Sequence, residues 1–129
     1  DTILICPPVV SQYAALGALQ AKDNYLKDNI GTIAKVREIV INALQSLENL
    51  CTITPANGAF YFFIKVHTRM NDLELVKKLI QEYKIAVIPG TTFGVEDGCY
   101  LRVAYGALPA DTAKAGIERL VKGLQTIVL

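Results

Sequence analysis

An α+β fold, with a mixed sheet of about four strands packed against helices, is what this sequence predicts. Three observations carry the prediction. Apolar residues recur at threes and fours over a long stretch near the N-terminus, the period of an amphipathic helix. The β-forming runs that follow are few and short, while the helical patterns are long. Their order is two helices, two strands, a helix, two strands and a final helix. The 129 residues suit one domain, large enough to fold without a metal or a disulfide.

The first helix is expected from Val9 to about Ala21, an Ala- and Leu-rich stretch behind Pro7-Pro8 with Ser11 near its first turn. The second runs from about Tyr25 to Leu50. Leu26, Ile30, Ile33, Val36, Val40, Leu44 and Leu47 form its stripe, and Lys27, Lys35, Arg37 and Glu38 take other faces. Gly31 interrupts that pattern and marks a place for a bend between two helices. Cys51-Thr52-Ile53-Thr54 reads as a short strand ended by Pro55-Ala56-Asn57-Gly58. Ala59 to Val66 is apolar almost throughout, as expected of a central strand covered on both faces for most of its length.

Asn71-Asp72-Leu73-Glu74 has the spacing of a capping box, and Leu73, Val76, Leu79, Ile80 and Tyr83 form a helical stripe behind it. Ile85-Ala86-Val87-Ile88 reads as a short buried strand stopped by Pro89-Gly90. Thr91 to Gly98 is a loop, and Cys99 to Tyr105 is the last strand. Asp111 opens a helix that buries Ile117, Leu120, Val121 and Leu124.

Composition excludes several functions. Thirteen basic residues stand against twelve acidic ones with no basic stripe, which argues against nucleic acid as a partner. No apolar run reaches the length of a membrane span, and no signal-peptide pattern opens the chain. Cys6, Cys51 and Cys99 are odd in number and widely spaced, as expected of reduced, mostly core cysteines in a cytoplasmic protein rather than zinc ligands. His67 lies between a strand and a helix, where a surface histidine is expected. The apolar fraction of 52% is high, so either the core is large or some apolar surface meets a partner. Asp1 leads at once into Ile3-Leu4-Ile5-Cys6, whereas chain starts are ordinarily more polar. This points to a piece of a longer protein.

Chemistry is sought first in Gly98-Cys99-Tyr100-Leu101-Arg102-Val103-Ala104-Tyr105. Alternation puts Tyr100, Arg102 and Ala104 on one face and Leu101, Val103 and Tyr105 on the other. Arg102 is flanked by apolar residues, and burying it unpaired would cost several kcal/mol, so a carboxylate or phosphate partner is required. Its planar fork suits a carboxylate in bidentate fashion, which a lysine does not. The alternative is a sheet-edge arginine whose stem packs while its head reaches water. No acid lies within the strand, and Glu96 and Asp97 belong to the preceding loop. Pro89-Gly90-Thr91-Thr92-Phe93-Gly94 is a Gly-bounded loop without a phosphate-loop lysine. Lys65, at the polar end of its strand, reads as a solvated lysine. Hydrolase, metal and dinucleotide signatures are missing.

Asn57-Gly58-Ala59-Phe60-Tyr61-Phe62-Phe63 resembles the Gly-Ala-Phe-Tyr strand of class I/II pyridoxal-phosphate-dependent aminotransferases, of the aspartate aminotransferase fold type I. Ile85 to Gly94 and Gly98 to Val103 then resemble that family's strand, Pro-Gly loop with Phe-Gly, and Arg-bearing strand. Ile5-Cys6-Pro7-Pro8 to Leu19 resembles the segment where such chains leave the large domain for the long interdomain helix. The resemblance implies a small-domain sandwich at residues 23–129, with 1–22 leaving a missing N-terminal large domain. It implies that Arg102 binds the substrate α-carboxylate, that Phe93 and Gly90 border the active-site entrance, and that Gly58 permits a tight turn into its strand. The cofactor lysine, the acid for the pyridine nitrogen and the phosphate-binding groups belong upstream, so neither catalytic nor cofactor-binding residues are expected here.

The implied function is the substrate-clamping small domain of a transaminase that moves an amino group between an amino acid and a 2-oxo acid. It would be inactive alone, with pyridoxal phosphate in the full-length parent and none bound to this piece. The parent would be a cytoplasmic homodimer. The alternatives are a stand-alone amino-acid-binding or regulatory α+β module, the small domain of a related lyase or synthase, and a scaffold that mediates association.

Overall fold

The computed structural model describes residues 6–21, 24–106 and 108–128. The chain divides into two compact units, Asp1–Thr32 and Ile33–Leu129.

In the first unit, α1 (Val9–Ala21) begins directly after the proline pair, and the Ser11 and Gln12 amides donate to the Pro8 carbonyl at 2.9 and 3.2 Å. None of its residues is buried. Val9, Val10, Tyr13, Leu16 and Leu19 are exposed, as are Leu26 and Ile30 at the start of α2 (Asn24–Gln45). That helix includes Gly31 without interruption, so the expected break there is not found. An interior glycine costs about 1 kcal/mol relative to alanine, which a 22-residue helix tolerates. The helix ends at Gln45 rather than Leu50, and residues 46–50 form turns.

The second unit is α+β. The remainder of α2 is followed by β1 (Cys51–Ile53), β2 (Tyr61–Val66), α3 (Asp72–Tyr83), β3 (Ile88–Pro89), β4 (Cys99–Ala104) and α4 (Ala110–Val128). The four strands lie in the order β1-β2-β4-β3. Every pairing is antiparallel, so the sheet expected to be mixed is not. Antiparallel pairing of β2 with β4, although α3 lies between them in sequence, leaves both as central strands.

Helices cover one face of this sheet. Phe62, Ile64 and Val66 of β2 and Cys99, Leu101 and Val103 of β4 meet Val36, Val40 and Leu44 of α2, Leu75 and Leu79 of α3, and Ile117, Leu120 and Leu124 of α4. The alternate residues of β2 are half-buried or exposed. Covering on both faces, expected from the unbroken apolar run, is therefore corrected. The second set of aromatics in Tyr-Phe-Phe looks outward.

α3 is capped as its spacing predicts. The Asn71 side chain accepts from the Leu73 and Glu74 amides at 2.9 and 3.4 Å. Its stripe is rotated from the expected one: Asp72, Leu75, Val76 and Leu79 are buried, while Leu73 and Ile80 are exposed. Leu73 and Ile80 are seven apart and share a flank, whereas 72, 75, 76 and 79 follow the one face that meets the sheet. α4 buries Ile117, Leu120 and Leu124 as expected, with Val121 partly buried against the core. A Cβ at Gly123 would stand 2.7 Å from Leu79 Cδ2, so the glycine admits α3 to close approach. The strand expected at Ile85–Ile88 shrinks to Ile88–Pro89.

Cys6 is exposed, and Cys51 and Cys99 are buried. Burial pushes the Cys51 thiol from its ordinary 9.0 up to about 11, and Cys99 rises as far, through burial first and the Asp72 carboxylate second. Above about pH 9 the unfolded chain loses thiol protons that the folded chain keeps. The stabilising contribution is thus whole below that pH and is lost as pH climbs toward about 11. A thiol reagent at pH 8 is expected to label Cys6 and spare the other two until denaturant is added. Equal labelling rates in native buffer would contradict this packing.

Candidate functional site

Tyr61, Phe63 and Lys65 of β2 and Tyr100, Arg102 and Ala104 of β4 occupy the sheet face away from the helices. The predicted alternation along β4 holds: Leu101, Val103 and Tyr105 are buried, and Tyr100, Arg102 and Ala104 are not. Register sets Arg102 opposite Phe63 on one side and Ile88 on the other, with Lys65 opposite Tyr100. Opposite residues share a face, so Arg102 is surrounded by apolar side chains. Phe63 stacks on Tyr100 at 5.3 Å between ring centroids.

Arg102 is half-buried rather than sunk. Its Cζ lies 4.4 Å from the centroid of the Tyr61 ring and 5.4 Å from that of Phe93. Its Nε is sealed from solvent and has no hydrogen-bond partner. Among the described residues Arg102 has no ion pair; those present join Arg37 to Glu38 and Lys78 to Glu74. Glu96 and Asp97 are exposed in the preceding loop. Ring faces attract a guanidinium by about 0.5–2 kcal/mol each, which holds the group without satisfying its donors. An unpaired buried donor costs about 1–3 kcal/mol, and the accessible N–H groups of the half-buried guanidinium, not Nε, are those that an acceptor in front of the strand would meet. A carboxylate engages them with two parallel hydrogen bonds.

Phe93 and Gly90 belong to one short turn, Gly90–Phe93, of 3₁₀ type. Phe93 joins Tyr61, Phe63 and Arg102 in lining a single recess, and its ring sits edge-on to Phe63 at 6.1 Å. Gly90 is buried against Tyr100, where a Cβ would come within 2.5 Å of the tyrosine Cβ. It thus holds the turn against β4 and does not line the recess. Gly58 does not supply the turn into β2. The left-handed residue is Ala59, at φ 63°, and the Tyr105 amide donates to Phe60 O at 2.9 Å beside it.

Two contributors escape the sequence reading. Tyr61 lies within an aromatic run that gives no cue to its face. Asp72 is absorbed into the capping motif, yet it is 2% exposed, and it accepts from the Thr91 amide at 2.8 Å and from Thr91 Oγ1 at 3.3 Å. A helical-wheel placement of Asp72 with Leu75, Val76 and Leu79 is the available signal. His67, as expected, is exposed, with Nε2 at 2.7 Å from Thr52 Oγ1.

Pyridoxal phosphate requires a lysine, an acid for its ring nitrogen and donors for its phosphate. The open face offers Lys65, exposed with its ammonium 5.6 Å from the Tyr100 ring, and Arg102, with no acid beside them among the described residues. The described residues alone do not fit that cofactor. Among them there is also no group of three or more side chains suited to a metal, and no helix long and apolar enough to cross a membrane.

Residues 2–120 match the family described as aminotransferase class I and II. Aromatic aminotransferase ISS1 of Arabidopsis thaliana is 31% identical over 131 residues, covering 99% of this chain and 32% of that protein. Aspartate aminotransferase of Rhizobium meliloti is 31% identical over 126 residues, covering 89% of this chain and 30% of the relative. An aminotransferase of Mycobacterium tuberculosis superposes with a TM-score of 0.82 at 25% identity, covering 97% of this chain and 33% of that one. The chain therefore spans about a third of the length of the relatives it matches.

Proposed function

The chain belongs to the class I and II aminotransferases, and from that premise we propose that it is the small domain of a transaminase in which Arg102 grips the substrate α-carboxylate. The observation that carries this reading is the guanidinium itself, held between two rings with Nε sealed and unpaired. Its other N–H groups border an aromatic recess, and no acid among the described residues pairs with them.

In the complete protein, Arg102 would bind either the amino acid or the 2-oxo acid, since both carry the same α-carboxylate. Two parallel hydrogen bonds fix the plane of that group, and the α-carbon with it, before the reaction begins. Tyr61 and Phe93 pack on the guanidinium and limit its rotation. Closure of the domain over the substrate would exclude the remaining water. When bound in the complete protein, the pyridoxal phosphate that the family implies would supply the electron sink for the difficult step. The groups that hold it would lie in the rest of the protein, with residues 1–22 as the segment that leaves the large domain. The parent would be a cytoplasmic homodimer, and light scattering on the full-length protein tests the dimer.

This piece is expected to be inactive alone. Mixed with pyridoxal phosphate it should show neither a stoichiometric visible Schiff-base band at one lysine nor transamination. A specific one-to-one site would overturn the domain reading. A stand-alone amino-acid-binding module would need a closed pocket around Arg102, and the recess formed by Tyr61, Phe63, Phe93 and Arg102 lies on the uncovered sheet face. A lyase or synthase parent would use the same carboxylate grip.

A further inference from the structure

We propose that Asp72 is a positioning residue for the carboxylate site, holding the Gly90–Phe93 turn so that Phe93 stays against Arg102. The proposal rests on the reading of Arg102 given above.

Among the described residues, Asp72 is the buried charged residue of the core. A carboxylate in that setting is strongly unfavourable unless hydrogen-bonded, and its acceptor bonds must be accounted for. Capping α3 does not account for them, because the Asn71 side chain already accepts from the Leu73 and Glu74 amides. Asp72 stands in the first turn of α3, where the helix macrodipole favours a negative charge. Its two oxygens are directed across the chain to Thr91. One takes the backbone amide at 2.8 Å and the other the hydroxyl at 3.3 Å.

Thr91 is the second residue of the turn that ends in Phe93. The turn is pinned at Gly90 by its fit against Tyr100 and at Thr91 by the carboxylate. Beyond those pins, Phe93 is 48% exposed and touches Phe63 edge-on and Arg102 by its ring face. Burial alone does not fix such a ring. With the Thr91 pin removed, the turn can lift at its Phe93 end, and one of the two walls that orient the guanidinium goes with it. Asp72 touches no substrate; it acts through Thr91 and Phe93.

The test uses the full-length enzyme with Asp72→Ala, Thr91→Val and Thr91→Ser, each alone and with Arg102→Lys. Alanine removes both bonds to Thr91, and valine removes the hydroxyl bond alone. Asp72→Ala is expected to raise the KM for the amino acid about ten-fold with kcat within about three-fold. Thr91→Val should shift KM about three-fold, and Thr91→Ser should keep it at the parent value. In the Arg102→Lys background the Asp72→Ala shift should vanish, because the two act through one group. A merely structural aspartate would lower Tm and the active fraction but leave KM unchanged, and that result overturns the proposal. If Asp72→Ala does not fold, an unchanged KM in Thr91→Val overturns it equally. If Arg102→Lys shifts KM and neither other variant does, the inference fails alone. If Arg102→Lys shifts nothing, the carboxylate reading fails with it.

Discussion

Arg102→Lys in the full-length enzyme is expected to lower kcat/KM for the amino acid by roughly two to three orders of magnitude. The charge survives, but the planar fork does not, and a lysine ammonium makes a point contact instead of two parallel bonds. Truncating one partner of a desolvated, hydrogen-bonded charge pair costs about 2–5 kcal/mol, which sets the scale. Arg102→Gln should fall at least as far, since it removes the charge as well. The effect should be specific to the carboxylate: an amine donor that lacks one should react equally with parent and variant. Steady-state kinetics with paired substrates makes the comparison. A variant within about three-fold of the parent on the amino acid would remove Arg102 from substrate capture. The surroundings of Arg102 make this sharp, because no acid among the described residues competes for the guanidinium.

Phe62→Ala is expected to carry the largest stability loss, about 3–5 kcal/mol. Phe62 is 1% exposed in the middle of β2. Its ring lies 5.2 Å from that of Tyr105, and the Arg37 guanidinium sits 5.4 Å from its centroid. Removal leaves a cavity between the sheet and α2 and frees Arg37, whose Nη2 donates to Ala56 O at 2.8 Å. Small domains hold only about 5–15 kcal/mol in total, so this one change takes a large share. Chemical denaturation should show a lower midpoint with an unchanged slope. The neighbouring Phe63 is the control: on the open face its truncation should cost clearly less. Equal losses at 62 and 63 would mean that both sheet faces are covered.

That contrast marks a limit of the sequence. The run Tyr61-Phe62-Phe63-Ile64 carries no polar residue to break its symmetry, so a period-two reading places both sets of side chains indoors. The run is apolar throughout because both faces have work: Phe62 and Ile64 fill the core, and Tyr61 and Phe63 wall the recess. β4 is legible for the opposite reason, since Arg102 between Leu101 and Val103 declares its faces outright. Gly90 stands out as a loop glycine, but its demand comes from Tyr100, ten residues on, and no local pattern contains that distance. Asp72 reads as part of a cap for the same reason: a carboxylate's partner across nineteen residues is invisible to local spacing.

Local patterns alone supply the α+β class, the starts of the helices, the capping of α3, the alternation of β4 and Arg102 as the residue to watch. Each depends on neighbours within a few positions, where helix and strand periods act directly. Only the folded chain decides the antiparallel pairing, the open face of the sheet, the rotation of α3 about its axis and the link from Asp72 to Thr91. Those depend on which surfaces meet, and the free energy of meeting is shared among residues far apart in the chain.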